Sequence, residues 1–246
     1  MRKNSLFFLC FILPSVVCAG TMGPVQSWSK VATLSLGPVY SHPGKTQLIY
    51  LEPDVEKGYV TGKNSDALIS GELFLGEQLP ISTLFLGQLG LAVAAASPVK
   101  IQGVILEDAD PDFNNYHYKY NVQHESVAIK AKLLTYSEHY IVPYLSGSIG
   151  LAFNRSSQFT ISPILIREVP APPFAANTDL AFMYTLGAGF QKALTTHWQA
   201  GIGYEFADWG QSALGRASGQ TINRGPQLTH LYTYELQFSL TYLAGA

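Results

Sequence analysis

Cysteine is almost missing from this chain of 246 residues: there are two, Cys10 and Cys18, and both fall within the first twenty positions. Beyond that point no disulfide framework and no cysteine metal site can form. Charge is scarce as well. Charged residues make up 13% of the sequence, with 15 basic against 17 acidic side chains. There is no basic excess to meet a polyphosphate, so no nucleic-acid partner is expected. Long apolar runs are also lacking. The stretch from Leu6 to Val17 is the most apolar. It is too short for a helix crossing a bilayer, which needs about 20 residues. No later segment shows sustained helical periodicity. Any membrane crossing must therefore be made of strands.

The N-terminus explains the early apolar run. Arg2 and Lys3 precede it, and the small residues Val17 and Ala19 follow. This is the pattern of a secretory signal peptide, expected over residues 1–19 and cleaved after Ala19. Residues 20–246 then form one β-rich domain.

Eight later segments carry the period of a β-strand: Lys30–Tyr40, Ala67–Gly76, Thr83–Ala95, Ser126–Tyr136, Ile141–Phe153, Ala181–Leu194, Trp198–Trp209 and Leu231–Leu243. Their lengths suit tilted strands crossing a bilayer, which need about 9–11 residues. The connections alternate strictly. Three are short ("EQLPIS", "SEHY", "TTH"), and four are long: Ser41–Asp66, Ala96–Glu125, Asn154–Leu180 and Gly210–His230. Short turns on one side and long loops on the other predict an all-β, eight-stranded antiparallel transmembrane β-barrel, with periplasmic turns and four long extracellular loops.

The stretch "HWQAGIGYEFADWG" assigns the faces. Trp198, Ala200, Ile202, Tyr204 and Phe206 alternate with Gln199, Gly201, Gly203, Glu205 and Ala207. Successive strand residues point to opposite faces. The bulky list is expected to meet lipid and the small, polar list a lumen narrow enough to need glycine. Trp198, Tyr204, Trp209, Tyr234 and Tyr242 are the expected membrane-interface aromatics.

With the strand rhythm in place, the chain resembles bacterial outer-membrane β-barrels of the opacity/OmpA-like eight-stranded group. The likeness rests on the signal peptide, the alternating strands, the loop rhythm and a final strand, "YELQFSLTYLAGA", with Phe238, Leu240 and Tyr242 in alternate positions. The final strand departs from the group's pattern, because Ala244, Gly245 and Ala246 follow the last aromatic. The resemblance implies export to the outer membrane and surroundings of outer-membrane lipid and lipopolysaccharide. It also implies recognition of the C-terminal strand by the barrel-assembly machinery. The group includes adhesins, anchors, conduits and a few lipid-modifying enzymes, so fold does not select function. The leading expectation is a non-enzymatic surface protein whose loops bind a host or envelope ligand. The alternative is a conduit for small, mostly apolar molecules, as in OmpW-like barrels. A lipid-modifying enzyme is less favoured. No cofactor, catalytic residue or metal ligand is assigned.

Parity marks the candidate site. Lys130 and Lys132 alternate with Val127, Ile129, Ala131 and Leu133 and so face the lumen, as do Glu72, Glu205 and Glu235 on their own strands. Charges kept from water need partners, and these five are expected to form a lumen charge network that fills the barrel. His124, Ser126 and Glu138 match the residue types and spacing of outer-membrane lipid A deacylases. However, His124 and Ser126 share the lumen parity, and Glu138 lies in a turn at the far end of the strand. The acidic run Glu107–Asp112 lacks the full spacing and glycine of a calcium loop and reads as a solvated tip. Tyr116, Tyr118 and Tyr120 alternate and predict that the fourth strand continues above the membrane. Pro170, Pro172 and Pro173 stiffen the third loop.

Overall fold

The protein is described by a computed structural model covering residues 28–41, 43–53, 55–62, 66–135, 141–164 and 173–245. The signal-peptide segment, Glu138, Pro170 and Pro172 lie outside the described residues. Strands account for most of the described chain: β1 (Ser29–Ser41), β2 (Gln47–Glu52), β3 (Val55–Thr61), β4 (Asp66–Pro80), β5 (Phe85–Ala96), β6 (Val99–Glu107), β7 (Asn114–Thr135), β8 (Val142–Pro163), β9 (Asn177–Ala193), β10 (Trp198–Asp208), β11 (Ser212–Ala213), β12 (Gln227–Leu228) and β13 (Tyr232–Ala244).

Eight of these close into a ring. β1 pairs with β4, β4 with β5, β5 with β7, β7 with β8, β8 with β9, β9 with β10, β10 with β13, and β13 returns to β1, every pair antiparallel. Full closure leaves no free sheet edge in the wall, which an apolar solvent demands because it cannot hydrogen-bond exposed backbone. The eight predicted segments fall within these eight strands to within a few residues, except that β7 begins 12 residues before its expected start and β8 ends 10 residues after its expected end.

The face assignment follows the pleat. Outward residues of the wall are apolar and strongly exposed: Ile129 57%, Leu145 62%, Phe182 64% and Leu186 61%. A soluble barrel would not present such a continuous apolar belt to water. Inward residues of the same strands are buried and mostly polar, including Thr33, Ser35, Gln88, Ser148, Thr185, Gln191 and Thr241. The chain is a transmembrane β-barrel with a lipid-facing outer surface.

The long connections are more ordered than alternation alone predicts. β7 and β8 each run 22 residues. Their upper halves rise beyond the belt, and the same sheet continues there in the order β2-β3-β6-β7-β8. β6 continues the line of β5 along β7, with Ala95 opposite Glu125 and Val99 opposite Val122. The loop after β10 clamps the outer edge of β2. Gln47 exchanges two hydrogen bonds with the backbone of Gln227, at 3.1 and 3.0 Å, and Asn223 donates to the Tyr50 carbonyl. The same loop pairs with the third connection through Phe174 and Ala217.

Together these segments form a folded cap over the extracellular mouth. Its interior holds Ile49, Tyr59, Ile101, Ile105, Tyr118, Tyr120, Phe159, Phe174, Leu214 and Leu228. Inward parity survives in β8 only because of a bulge: Lys119 faces Thr160 while Asn121 faces Ser157, and Gln158 takes a φ of 59°. The extra residue returns Phe159 to the inside.

Candidate functional site: a closed lumen beneath an extracellular cap

The middle of the lumen is built around Lys130. β7 aims it inward, between the lipid-facing Ile129 and Ala131. Its Nζ donates to Glu72 Oε1 at 2.7 Å and Oε2 at 2.8 Å, and to Glu205 Oε2 at 2.7 Å. Glu72 stands on β4 and Glu205 on β10, so one ammonium ties three walls together across the barrel. All three side chains are buried. Gln237 on β13 donates to the other Glu205 oxygen at 3.3 Å. The carboxylates are thereby satisfied by a cation and an amide, which a low-dielectric interior requires.

Lys132 does not join the carboxylates by direct contact. It lies one level nearer the periplasmic end, donates to Gln191 Oε1 at 2.7 Å, and sits 3.7 Å from the centre of the Tyr144 ring. The ring supplies its negative face to the cation. Room for Tyr144 comes from glycine: a side chain at Gly189 or Gly203 would collide with the Tyr144 ring or hydroxyl. Gln191 in turn donates to Gln199. Glu235 is half-buried and lies directly across the β10–β13 ladder from Glu205. It borders the same lumen without contacting either lysine.

Parity thus places Glu72, Lys130, Lys132, Glu205 and Glu235 in one interior, and the structure brings three of them into direct ion pairing. Tyr144, Gln191 and Gln237 are the partners that charge-based reasoning passed over. Their inward parity was the available signal.

Below this cluster, Val31, Phe74, Ala92 and Leu243 close the periplasmic end with apolar packing. Above it lies a collar. His124 packs its ring 4.3 Å from that of Trp209, centroid to centroid. Asn154 donates to the carbonyls of Trp209 and Gln211, at 2.7 and 2.8 Å. Trp209 donates through Nε1 to Thr233 at 2.8 Å.

This corrects one expectation. Trp209 is 5% exposed and points into the barrel, not to the membrane interface. The strand ends at Asp208, and Gly210, with φ +73°, turns the chain over the mouth. Trp209 follows the inward parity of Glu205 and Ala207. The other four aromatics, Trp198, Tyr204, Tyr234 and Tyr242, are exposed on the outer wall. Tyr204 and Tyr234 stack on each other, as do Trp198 and Tyr242 in a tilted pair.

The collar does not assemble a nucleophile. Ser126 is buried in the lumen, and neither ring nitrogen of His124 has a hydrogen-bond partner among the described residues. A serine needs its base within hydrogen-bond reach. The acidic tip is occupied locally. Glu107 accepts from Lys57 at 2.8 Å, and Asp110 accepts the Asp112 amide at 2.9 Å.

The interior leaves little space. Two cavities border the ion cluster, one above and one below, and each encloses about 20 Å³. That is close to the minimum that holds one water molecule. The cap over them is dry enough to push the phenols of Tyr59, Tyr118 and Tyr120 upward from their ordinary value by burial.

A closed eight-stranded ring, an apolar outer belt and a polar interior locked by an ion cluster define an eight-stranded transmembrane β-barrel. No family pattern and no curated protein matches the sequence. Among solved structures, the chain is similar to the outer membrane protein OprG from Pseudomonas aeruginosa, at 10% identity over 90% of this chain and 99% of that one, with a TM-score of 0.49. It is also similar to the outer membrane protease OmpT from Escherichia coli (9% identity; 87% and 96% covered; TM-score 0.45). A third is Neisserial surface protein A, from Neisseria (10% identity; 87% and 96% covered; TM-score 0.44).

Proposed function

We propose that this protein is a non-enzymatic surface barrel that uses its extracellular cap, not its lumen, to bind a host or envelope ligand. The observation that carries the reading is the closure of the lumen by the Lys130 cluster beneath a packed cap. A conduit needs a continuous path, and cavities of about 20 Å³ offer none to a solute larger than water.

The cap has the rigidity that binding favours. In the loop after β10, Gln220 accepts the Ala217 amide at 2.8 Å and donates to the carbonyls of Ile222 and Arg224. Arg216 donates to the Asn223 carbonyl at 2.8 Å, and Arg224 pairs with Asp179 at 3.3 Å. A loop ordered before it meets a ligand loses less entropy on binding.

The test uses the purified protein in three assays. In planar bilayers it should show no large, stable conductance. Lipid A from cells overproducing it should keep an unchanged mass spectrum. Glycan and matrix-protein arrays probed with the barrel in nanodiscs should give binding that falls when Arg216 and Arg224 are replaced by glutamine. Reproducible conductance would favour the conduit, and altered lipid A would favour the enzyme.

A further inference from the structure

The base of the loop after β10 is fastened to a row of inward residues at the barrel mouth. In that row His124 on β7 stands opposite Asn154 on β8, and Asn154 opposite Asp179 on β9. Asn154 holds the carbonyls of Trp209 and Gln211. Asp179 accepts the Ala213 amide at 2.7 Å on one oxygen and Arg224 at 3.3 Å on the other. Asn177 donates to the Ala213 carbonyl at 3.2 Å. Trp209, Gln211 and Ala213, alternate residues of the loop base, are thus tied down by hydrogen bonds. His124 adds a contact of another kind, ring against ring with Trp209.

That contact requires a neutral imidazole. The His124 ring is fully buried, and neither nitrogen has a hydrogen-bond partner among the described residues. Protonation would give it two N–H donors and a charge, and burial without partners penalises both. The surrounding walls supply no counter-charge. Beside it on β7 the inward residues are Val122 and Ser126, and β8 presents Ala152, Asn154 and Ser156. The other walls bring Val39, Ser41, Leu68, Ala96 and Val99 toward this level. Among the described side chains, the acids at the mouth are engaged or set lower. Asp179 holds Ala213 and Arg224. Asp208, at the end of β10, accepts the Gly210 amide at 2.9 Å and pairs with His230 Nδ1 at 2.8 Å. Glu235, on β13, borders the cavity below Trp209. The Trp209 ring, tilted at 52° to the imidazole, returns part of the cost of a cation through its π face. His124 also lies above the lipid belt: the outward residues beside it are Gln123 and Glu125, and the exposed apolar run ends at Val127. Burial alone holds the imidazole below its ordinary value, at about 4.

We propose that His124 is an acid-sensitive latch: protonating its buried ring releases Trp209 and the base of the loop after β10, so that the cap loosens from the barrel mouth in mild acid. The proposal does not depend on what the cap binds. A lifted loop leaves His124 in water, where imidazole titrates near 6.5. The open form then binds a proton that the closed form rejects. The closed form therefore loses stability as pH falls from about 6.5 to about 4. The other groups at the mouth act in the opposite sense. A protonated His230 tightens on Asp208, and a protonated Glu235 removes a charge from the interior.

The test is amide hydrogen exchange on the full-length barrel in nanodiscs, read as protection factors corrected for the intrinsic pH dependence of exchange. The amides of Trp209, Ala213 and Leu214 donate to the Leu231 carbonyl, Asp179 and the Pro226 carbonyl. Between about pH 7.5 and pH 5 they should lose about tenfold to thirtyfold of their protection. Stopping near pH 5 keeps ordinary carboxylates charged. The β1–β4 ladder of the wall should keep its protection over the same range. His124→Phe retains a ring against Trp209 and cannot titrate, so its loop should show no such loss. If His124→Phe does not give a folded, heat-resistant band, His124→Gln carries the same comparison. His230→Asn should leave the loss in place. Flat protection in the wild-type loop, or a loss that persists without His124, overturns the proposal. So does a loss that disappears in His230→Asn, or one shared equally by the wall, which would be global unfolding.

Discussion

Replacing Lys130 with methionine removes one charge and almost no length. Three contacts at 2.7, 2.8 and 2.7 Å disappear, and Glu72 and Glu205 are left facing one another in a buried interior. Removing one partner from a buried ion pair costs about 3–5 kcal/mol, because the remaining charge is uncompensated. Two remaining carboxylates put this case toward the upper end. The loss corresponds to roughly two to three and a half orders of magnitude in the folding equilibrium, at 1.4 kcal/mol per factor of ten. Urea unfolding in lipid vesicles, followed by tryptophan fluorescence, measures it, and the heat-modified gel shift gives an independent reading. The repair is equally informative. Adding Glu72→Gln and Glu205→Gln to Lys130→Met removes every stranded charge, and such neutral replacements of buried ion clusters are often neutral or stabilising. The triple variant should therefore be more stable than the single one. A single variant that loses less than about 1 kcal/mol, or a triple variant no better than the single, refutes the account of the cluster.

Ile129→Lys should hinder insertion rather than stability, since a lysine aimed at lipid near the midplane costs about 2–4 kcal/mol; normal vesicle insertion would reverse the two faces. Gly203→Val should strike the Tyr144 hydroxyl and lift the ring from Lys132, at the 1–3 kcal/mol typical of overpacking, roughly. Gly147→Ala, whose added carbon would sit 3.5 Å from its nearest neighbour, should be tolerated in the same unfolding assay. In the cap, Tyr59 and Tyr118 have their ionisation pushed upward by burial, so above pH ~10 the unfolded chain holds fewer protons than the native one and cap stability falls as pH rises. Phenolate absorbance should show a late-titrating fraction that Tyr59→Phe and Tyr118→Phe reduce, leaving the part due to Tyr120; an unchanged titration would mean the cap is wet.

The wall was legible because its physics is periodic. Two solvents, lipid outside and a polar lumen inside, impose an alternation that every strand repeats, and "HWQAGIGYEFADWG" shows it in a single strand. The placement of Lys130 and Glu205 followed from the same parity. The choice of partners did not. Lys130 meets residues 58 and 75 positions away, and nothing local distinguishes it from Lys132, which meets a tyrosine ring instead. Trp209 was misplaced because parity was read without its endpoint: at the mouth the lipid belt stops, so an aromatic on the inward list packs under the cap. The cap strands β2, β3 and β6 were read as loop for a related reason. Their short runs carry glycine and charge, such as Gly58 and Lys57, and become strands by adding in turn to the extended β7, first β6, then β3, then β2.

Closure of the lumen constrains where function can reside. An eight-stranded ring has little interior to begin with, and here that interior is divided among an ion cluster, a tyrosine held by two glycines, and a collar of His124, Asn154 and Trp209. Each part packs against or bonds to another wall of the same barrel, so each contributes to holding the wall closed. The outer belt is likewise committed, to lipid. The cap remains, with its loop after β10 held by Gln220, Arg216 and Arg224. It depends on one feature of the sequence: β7 and β8 run on for 22 residues, past the end of the membrane, and carry an ordered sheet where a shorter pair would have carried a loop.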